Sequence, residues 1–187
     1  MDVNVAEPID RFVDMCRGMF GIADFEQRRT LVCGSNLYDT GKEDRRKRYR
    51  NCIGIDQIPG DSVDRVANLE DLSEMKSLGL FDHIECLSVL EHARRPWIIA
   101  RNLRSALASG GTIVVQVPFI WRVHNYPSDY WRFTAEGISE LFNGLSSVVT
   151  AHCYSDGEID IKGKIPKIDV EGKKFMARTE VFMFGVK

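Results

Sequence analysis

Four short apolar runs, "TLVCG" (30–34), "CIGID" (52–56), "HIECLSV" (83–89) and "TIVVQVPF" (112–119), constrain this chain more than any other feature. None alternates strictly between apolar and polar residues, which is the pattern of strands covered on both faces in a parallel sheet. "DRVANL" (64–69) is a weaker strand of the same kind. Parallel neighbours need crossover connections, and the intervening segments supply helices. Pro96 stands where a first helical turn tolerates it, and "PWIIARNLRSALASGG" carries apolar Trp97, Ile98, Ala100, Leu103 and Leu107 before a predicted stop at Gly110–Gly111. "TAEGISELFNG" (134–144) opens on a Thr cap, with Ile138, Leu141 and Phe142 on one face. The βαβαβ order predicts a doubly wound α/β sheet.

Before the first strand, "PIDRFVDMCRGMFGIADF" reads as an amphipathic helix within residues 1–28, with Ile9, Phe12, Val13, Cys16 and Phe20 as its apolar stripe. At the other end, "SSVVTAHCY" (146–154) and "RTEVFMFGV" (178–186) are strands with no helix between them, so residues 146–187 are expected to close a mostly parallel sheet with an antiparallel edge hairpin. The hairpin connection carries Lys162, Lys164, Lys167, Lys173 and Lys174. A length of 187 residues, 44% hydrophobic and formally −2, fits one domain with a sizeable core. "MDVNVAEPID" lacks the basic and apolar regions of a signal peptide, and no run approaches the roughly 20 residues of a membrane span. The expectation is a cytoplasmic protein. Five scattered cysteines without CxxC spacing suggest neither a disulfide framework nor zinc, and no metal is expected.

Ligands of open parallel sheets bind beyond the carboxyl ends of the strands. The segments there are "CGSN" (33–36), Asp56, "NLED" (68–71), "SVLEH" (88–92) and "WRVHNYPSDYWRFT" (121–134). Gly34 and Asp56 lie 22 residues apart, near the roughly 20 that set a carboxylate against a ribose diol. A pyrophosphate needs a glycine-rich turn, but "GSNLYDTG" has no second glycine until Gly41, which disfavours dinucleotides; a Walker loop is absent as well. S-adenosylmethionine has a ribose and no phosphate, so one glycine and one acid suffice for it.

These residues resemble a class I S-adenosylmethionine-dependent methyltransferase of the ubiquinone/menaquinone-methyltransferase-like group, whose fold is Rossmann-like. "TLVCGSN" is similar to the first cofactor motif, "CIGID" to the second, and "FDHIECLSVLEHARRPWIIARNLRSALASGGTIVVQVPF" to the block spanning the fourth and fifth strands. "HNYPSDYWRFTAEGI" resembles a segment of the same branch, so the likeness covers roughly residues 30 to 143 as a cofactor-binding core. The resemblance implies that Gly34, Ser35 and Asn36 cradle the methionine part, Asp56 binds the ribose, Asn68 and Leu69 edge the adenine, and Ser88 and Leu90 lie along the cofactor. It also implies S-adenosylhomocysteine as product. Val32, Asn36 and Asn68 depart from the usual acid, glycine and acid of those motifs.

Methyl transfer to a hydroxyl or amine requires a proton acceptor beside the acceptor atom. His124 is the candidate base, because an ordinary imidazole, with a pKa of about 6.5, accepts a proton near neutrality. Its bland alternative is a loop histidine bonded to backbone. Asp129 and Arg132 read first as an ion pair ordering the loop and second as acceptor contacts. Trp121, Tyr126 and Tyr130 offer flat faces for a small substrate, or lid packing. Glu91–His92 reads as shaping the turn and capping the next helix. "RRKRYR" (45–50) has five basic residues in six and raises a nucleic-acid enzyme or binding module as a rival, against a solvated connection flanked by Glu43 and Asp44. The solvated connection and a small-molecule acceptor are favoured, with a sugar or glycan precursor methylated on oxygen as the expected class. The remaining alternative is a degenerate methyltransferase fold serving as a binding or assembly partner. Oligomeric state is not legible.

Overall fold

The computed structural model describes residues 7–38, 43–124, 128–154, 158–161 and 178–187. Within these, one sheet contains β1 (Arg29–Cys33), β2 (Asn51–Asp56), β3 (Arg65–Val66), β4 (Phe81–Leu87), β5 (Leu107–Pro118), β6 (Ser147–Tyr154), β7 (Ile159–Asp160) and β8 (Arg178–Val186). The spatial order is β3-β2-β1-β4-β5-β8-β6-β7. Strands β1 to β5 pair in parallel. β8 runs antiparallel to both β5 and β6, and β7 antiparallel to β6. The antiparallel finish expected from the sequence is present, but its last strand is inserted beside β5 instead of lying at the rim. The lysines of the connection fall outside the described residues.

Helix α1 (Pro8–Phe20) covers one face, and α2 (Leu72–Ser77), α3 (Pro96–Ala106) and α4 (Ala135–Leu141) cover the other. Ile9, Phe12, Val13 and Cys16 of α1 pack with Val114, Phe182 and Phe184, while Ile99, Leu103 and Ile138 share a core with Ile113, Val115 and Met183. Alternate residues of β5 and β8 thus serve two cores, which is why their central segments, 113–115 and 181–184, lack polar residues. Thr134 caps α4 by accepting a hydrogen bond from the Gly137 N–H (3.0 Å), as its sequence predicts.

Two expectations need correction. Helix α3 ends at Ala106, four residues ahead of the glycine pair, because Leu107 is already extended and pairs with Phe81. Between the Phe81–Leu107 and His83–Thr112 pairs the β5 chain bulges, and Gly110 (φ +72°) and Gly111 make that excursion. A Cβ on Gly111 would lie 2.8 Å from the Ala108 carbonyl, so the pair serves a bulge and not a helix stop. The basic run is the second correction. Arg45–Arg48 is a 3₁₀ turn whose arginines are internal cross-links, not solvated charges. Arg45 grips both oxygens of Glu85, through Nε and through Nη2 at 3.0 Å, and also donates to Asp10 at 3.0 Å. Arg46 binds Asp44 (2.8 Å) and Asp64 (2.6 Å), Arg48 binds Asp10 (2.5 Å), and the Tyr49 hydroxyl donates to Glu85 (2.5 Å).

Beside this network lies His83, fully buried between the rings of Phe25 (4.4 Å) and Tyr49 (5.7 Å). Its Nδ1 pairs with Thr112 Oγ1 at 2.9 Å, and its Nε2 has no partner among the described residues. Burial, reinforced by the charge of Arg28, pulls its pKa down to about 3 from 6.5. Because the folded value is the lower one, protons favour the unfolded chain: stability is complete above pH 6.5 and is lost as pH falls toward 3. The expected slope approaches about 1.4 kcal/mol per pH unit inside that window. Urea midpoints of the native chain and of His83→Phe should therefore diverge between neutral and mildly acidic buffer, the variant being the less acid-sensitive. Equal slopes would remove His83 as the source.

Candidate active site

The sheet changes direction at β1: β2 and β3 lie to one side of it, β4 and β5 to the other. The crevice of a doubly wound sheet opens at such a switch point. Here it is bounded by Gly34 after β1 and by Ser88 and Val89 after β4. Gly34 takes φ +67°, and a Cβ there would stand 2.6 Å from Val89 Cγ2, so both conformation and close approach demand glycine. Ser88 also adopts a left-handed conformation, φ +53°, and its side chain is exposed at the crevice. Ser35 is buried, its N–H donating to the Ile55 carbonyl (3.0 Å) and its Oγ without a partner among the described residues.

Asp56 ends β2 with its carboxylate already engaged. The Ile58 N–H (3.0 Å) and the Tyr38 hydroxyl (3.1 Å) donate to Oδ1, and the Asn36 N–H (3.3 Å) to Oδ2. A carboxylate offers about four acceptor sites, so one stays open and a second opens if Tyr38 swings away. The Asn36 side chain lies against Gly60, where a Cβ would meet its Oδ1 at 2.3 Å, and this brings the loop after β2 over the first motif. Asn68 is exposed and its Oδ1 accepts from the Glu70 N–H (2.9 Å), while Leu69 is buried. Leu90 is buried in the core, so only its backbone can face the crevice.

On the other side of the switch point, residues 121–124 and 128–134 are strapped across the ends of β4 and β5. The N–H groups of Tyr130 (2.8 Å) and Trp131 (3.3 Å) donate to the Glu91 carbonyl, and Trp131 Nε1 donates to the Ala93 carbonyl (2.8 Å). Arg132 holds both oxygens of Asp129 (2.6 and 2.8 Å) and also reaches the carbonyls of Trp121 (3.2 Å) and Arg122 (3.1 Å), tying the strap's two ends together. The hydrogen bonds from Arg132, reinforced by the His124 N–H and the guanidinium charge, hold the Asp129 carboxyl well below the usual range. The dense mixture of polar and aromatic residues therefore stitches a loop onto the "LEH" turn. Trp121 and Tyr130 remain about half exposed, at 54% and 45%, whereas Tyr126 lies outside the described residues.

His124 is brought to His92, the rings meeting edge to face at 4.9 Å, and its Nδ1 lies 3.1 Å from Asp129 Oδ2. Glu91 and His92 do not cap α3, whose N-cap is Arg95; they form a 3₁₀ turn of their own (Leu90–His92). Glu91 is buried, and that burial, with a smaller push from Asp129, raises its carboxyl to about 7. His92 is shifted the opposite way, burial lowering its pKa. Sequence reasoning missed Tyr38 on Asp56 and Glu91 beside the histidines. The first has no spacing signal, and the second was absorbed into a turn.

No family model matches the chain, and no curated protein matches its sequence. Solved structures do match. A SAM-dependent methyltransferase from Archaeoglobus fulgidus superposes with a TM-score of 0.59 at 14% identity, over 95% of this chain and 94% of that one. The chain has the SAM-dependent methyltransferase fold. Two further structures share it at TM-scores of 0.55 and 0.57. The N-terminal domain of EvdMO1 in the presence of SAH and D-fucose is 14% identical over 98% of this chain and 84% of that one. The 1,6-didemethyltoxoflavin-N1-methyltransferase of Burkholderia thailandensis, with 1,6-didemethyltoxoflavin and S-adenosylhomocysteine bound, is 12% identical over 96% of this chain and 78% of that one. Among the described residues of this methyltransferase fold, no helix is long and apolar enough to cross a membrane.

Proposed function

We propose that this chain transfers the methyl group of S-adenosylmethionine to a small-molecule acceptor and releases S-adenosylhomocysteine. The observation that carries the reading is the juxtaposition at the switch point of a positive-φ Gly34, pressed against Val89, with Asp56 at the end of the next strand. The crevice between them suits a sulfonium cofactor whose ribose needs a carboxylate and which has no phosphate to cradle. Gly34, Ser35 and Asn36 would border the methionine part, Asn68 and Leu69 the adenine, and Ser88 the sulfur side.

The acceptor lies, on this reading, under the strap, between the exposed faces of Trp121 and Tyr130 and the Glu91–His92–His124 group. Oxygen is the favoured target. Displacement at the methyl carbon breaks the S–CH3 bond, the electron pair stays on sulfur, and the acceptor's proton passes to His124 or Glu91. A sugar-type acceptor is supported only by the likeness to EvdMO1, solved with D-fucose present. The basic run offers little to nucleic acid, since Arg45, Arg46 and Arg48 are engaged by acids of this chain.

Tyr38 on Asp56 favours one second reading, a fold that has lost turnover and binds partners instead. Calorimetric titration of the purified chain with S-adenosylmethionine and S-adenosylhomocysteine separates the two. Micromolar binding of both is expected. Folded protein that binds neither would support the binding-partner reading.

A further inference from the structure

The ends of β4 and β5 collect a second set of groups beside the crevice. Glu91, His92 and His124 each present one ligand-type atom, and those atoms lie within 4.8 Å of one another. Both imidazoles are oriented by acceptors that cannot donate. His92 Nδ1 is 2.5 Å from the Ser128 carbonyl, and His124 Nδ1 is 3.1 Å from Asp129 Oδ2 and 3.3 Å from the Arg122 carbonyl. In the neutral form of each ring these contacts put the proton on Nδ1 and the coordinating lone pair on Nε2. Outer-sphere carboxylates and carbonyls hold metal-binding histidines in this way. Asp129 is itself clamped by two bonds from Arg132, so the orientation of His124 is fixed through two layers.

The Glu91 side chain supplies an independent sign. It is 2% exposed, its Oε2 has no hydrogen-bond partner among the described residues, and its Oε1 lies 3.8 Å from His92 Nε2. A buried carboxylate oxygen without a donor is costly unless a proton or a cation completes it. We propose that Glu91, His92 and His124 form a two-histidine, one-carboxylate site for a divalent metal ion of the zinc type. Imidazole and carboxylate donors suit such an ion, and three protein ligands leave a position open. The role of that position rests on the methyl-transfer reading: with the ion bound, Glu91 and His124 are its ligands and no longer take the proton, so an acceptor hydroxyl held there releases it to solvent, and its oxygen then displaces sulfur from the methyl carbon.

Cobalt(II) is the probe, titrated into the full chain after chelator treatment and followed by its visible d–d absorption. One equivalent is expected to bind in the micromolar range or tighter. His92→Ala, His124→Ala and Glu91→Gln should each weaken binding at least tenfold, and Asp129→Asn, acting through His124, roughly tenfold. Circular dichroism of each variant confirms that it is folded, and S-adenosylhomocysteine is titrated into the same samples. No cobalt binding by the folded native chain, or binding that none of the ligand variants weakens, overturns the site. Cobalt binding with no binding of S-adenosylhomocysteine keeps the site and removes its role in methyl transfer.

Discussion

Arg45→Ala is expected to cost about 3–5 kcal/mol of folding stability, the range for removing one partner of a buried ion pair. Glu85, 1% exposed on the central strand β4, depends on Arg45 for a bidentate pair and on Tyr49 for its other hydrogen bond. Asp10 of α1 shares the same guanidinium. Without Arg45 one carboxylate is left inside the sheet with only a phenol, and α1 loses part of its attachment to β4. Urea denaturation should show a much lower midpoint at an unchanged slope. A double replacement, Arg45→Met with Glu85→Leu, should recover much of the loss, since removing both charges leaves neither unpaired. A loss below about 1 kcal/mol would place the pair among solvent-screened surface bridges and would return the basic run to the surface as a phosphate-binding candidate.

Asp56→Ala is expected to weaken S-adenosylhomocysteine binding at least about 100-fold, roughly two hydrogen bonds to a charged acceptor at ~1.5 kcal/mol each. The variant also strips acceptors from the N–H groups of Asn36 and Ile58, so Asp56→Asn, which keeps one oxygen, belongs in the same calorimetric series. Tyr38→Phe tests the reasoning from the opposite side. Its hydroxyl occupies an acceptor site on Oδ1, and removing it should leave affinity unchanged or improve it. If Asp56→Ala binds as tightly as the native chain, the ribose is not held at the end of β2 and the assignment of the crevice fails.

Much of the fold was legible because two-sided burial leaves a mark in sequence. The run "TIVVQVPF" is apolar on both faces at its centre since Val114 serves one core and Ile113, Val115 and Val117 the other. What was not legible depended on partners distant in the chain. Gly110–Gly111 looks the same whether glycine ends a helix or turns a bulge, and only the pairing of Leu107 with Phe81 decides. "RRKRYR" has the composition of a solvated or phosphate-binding run; its partners Asp10, Asp64 and Glu85 are scattered over 75 positions of sequence. The same holds at the site. Gly34 and Asp56 carry a recognisable interval, whereas the meeting of His92 with His124 depends on how the strap folds back over the end of β4.

The position of β8 has a consequence for how the chain is made. Because β8 sits between β5 and β6, a nascent chain that has emerged as far as Tyr154 exposes the outer edge of β5 and both edges of β6, with nothing yet available to join them. Synthesis at about 5–20 residues per second leaves those edges open for roughly a few seconds before Val186 is added. Unpaired strand edges of that kind recruit other strands. Vectorial synthesis therefore makes the interval before β8 appears the most aggregation-prone moment in the life of this protein, and the one in which a chaperone has the most to protect.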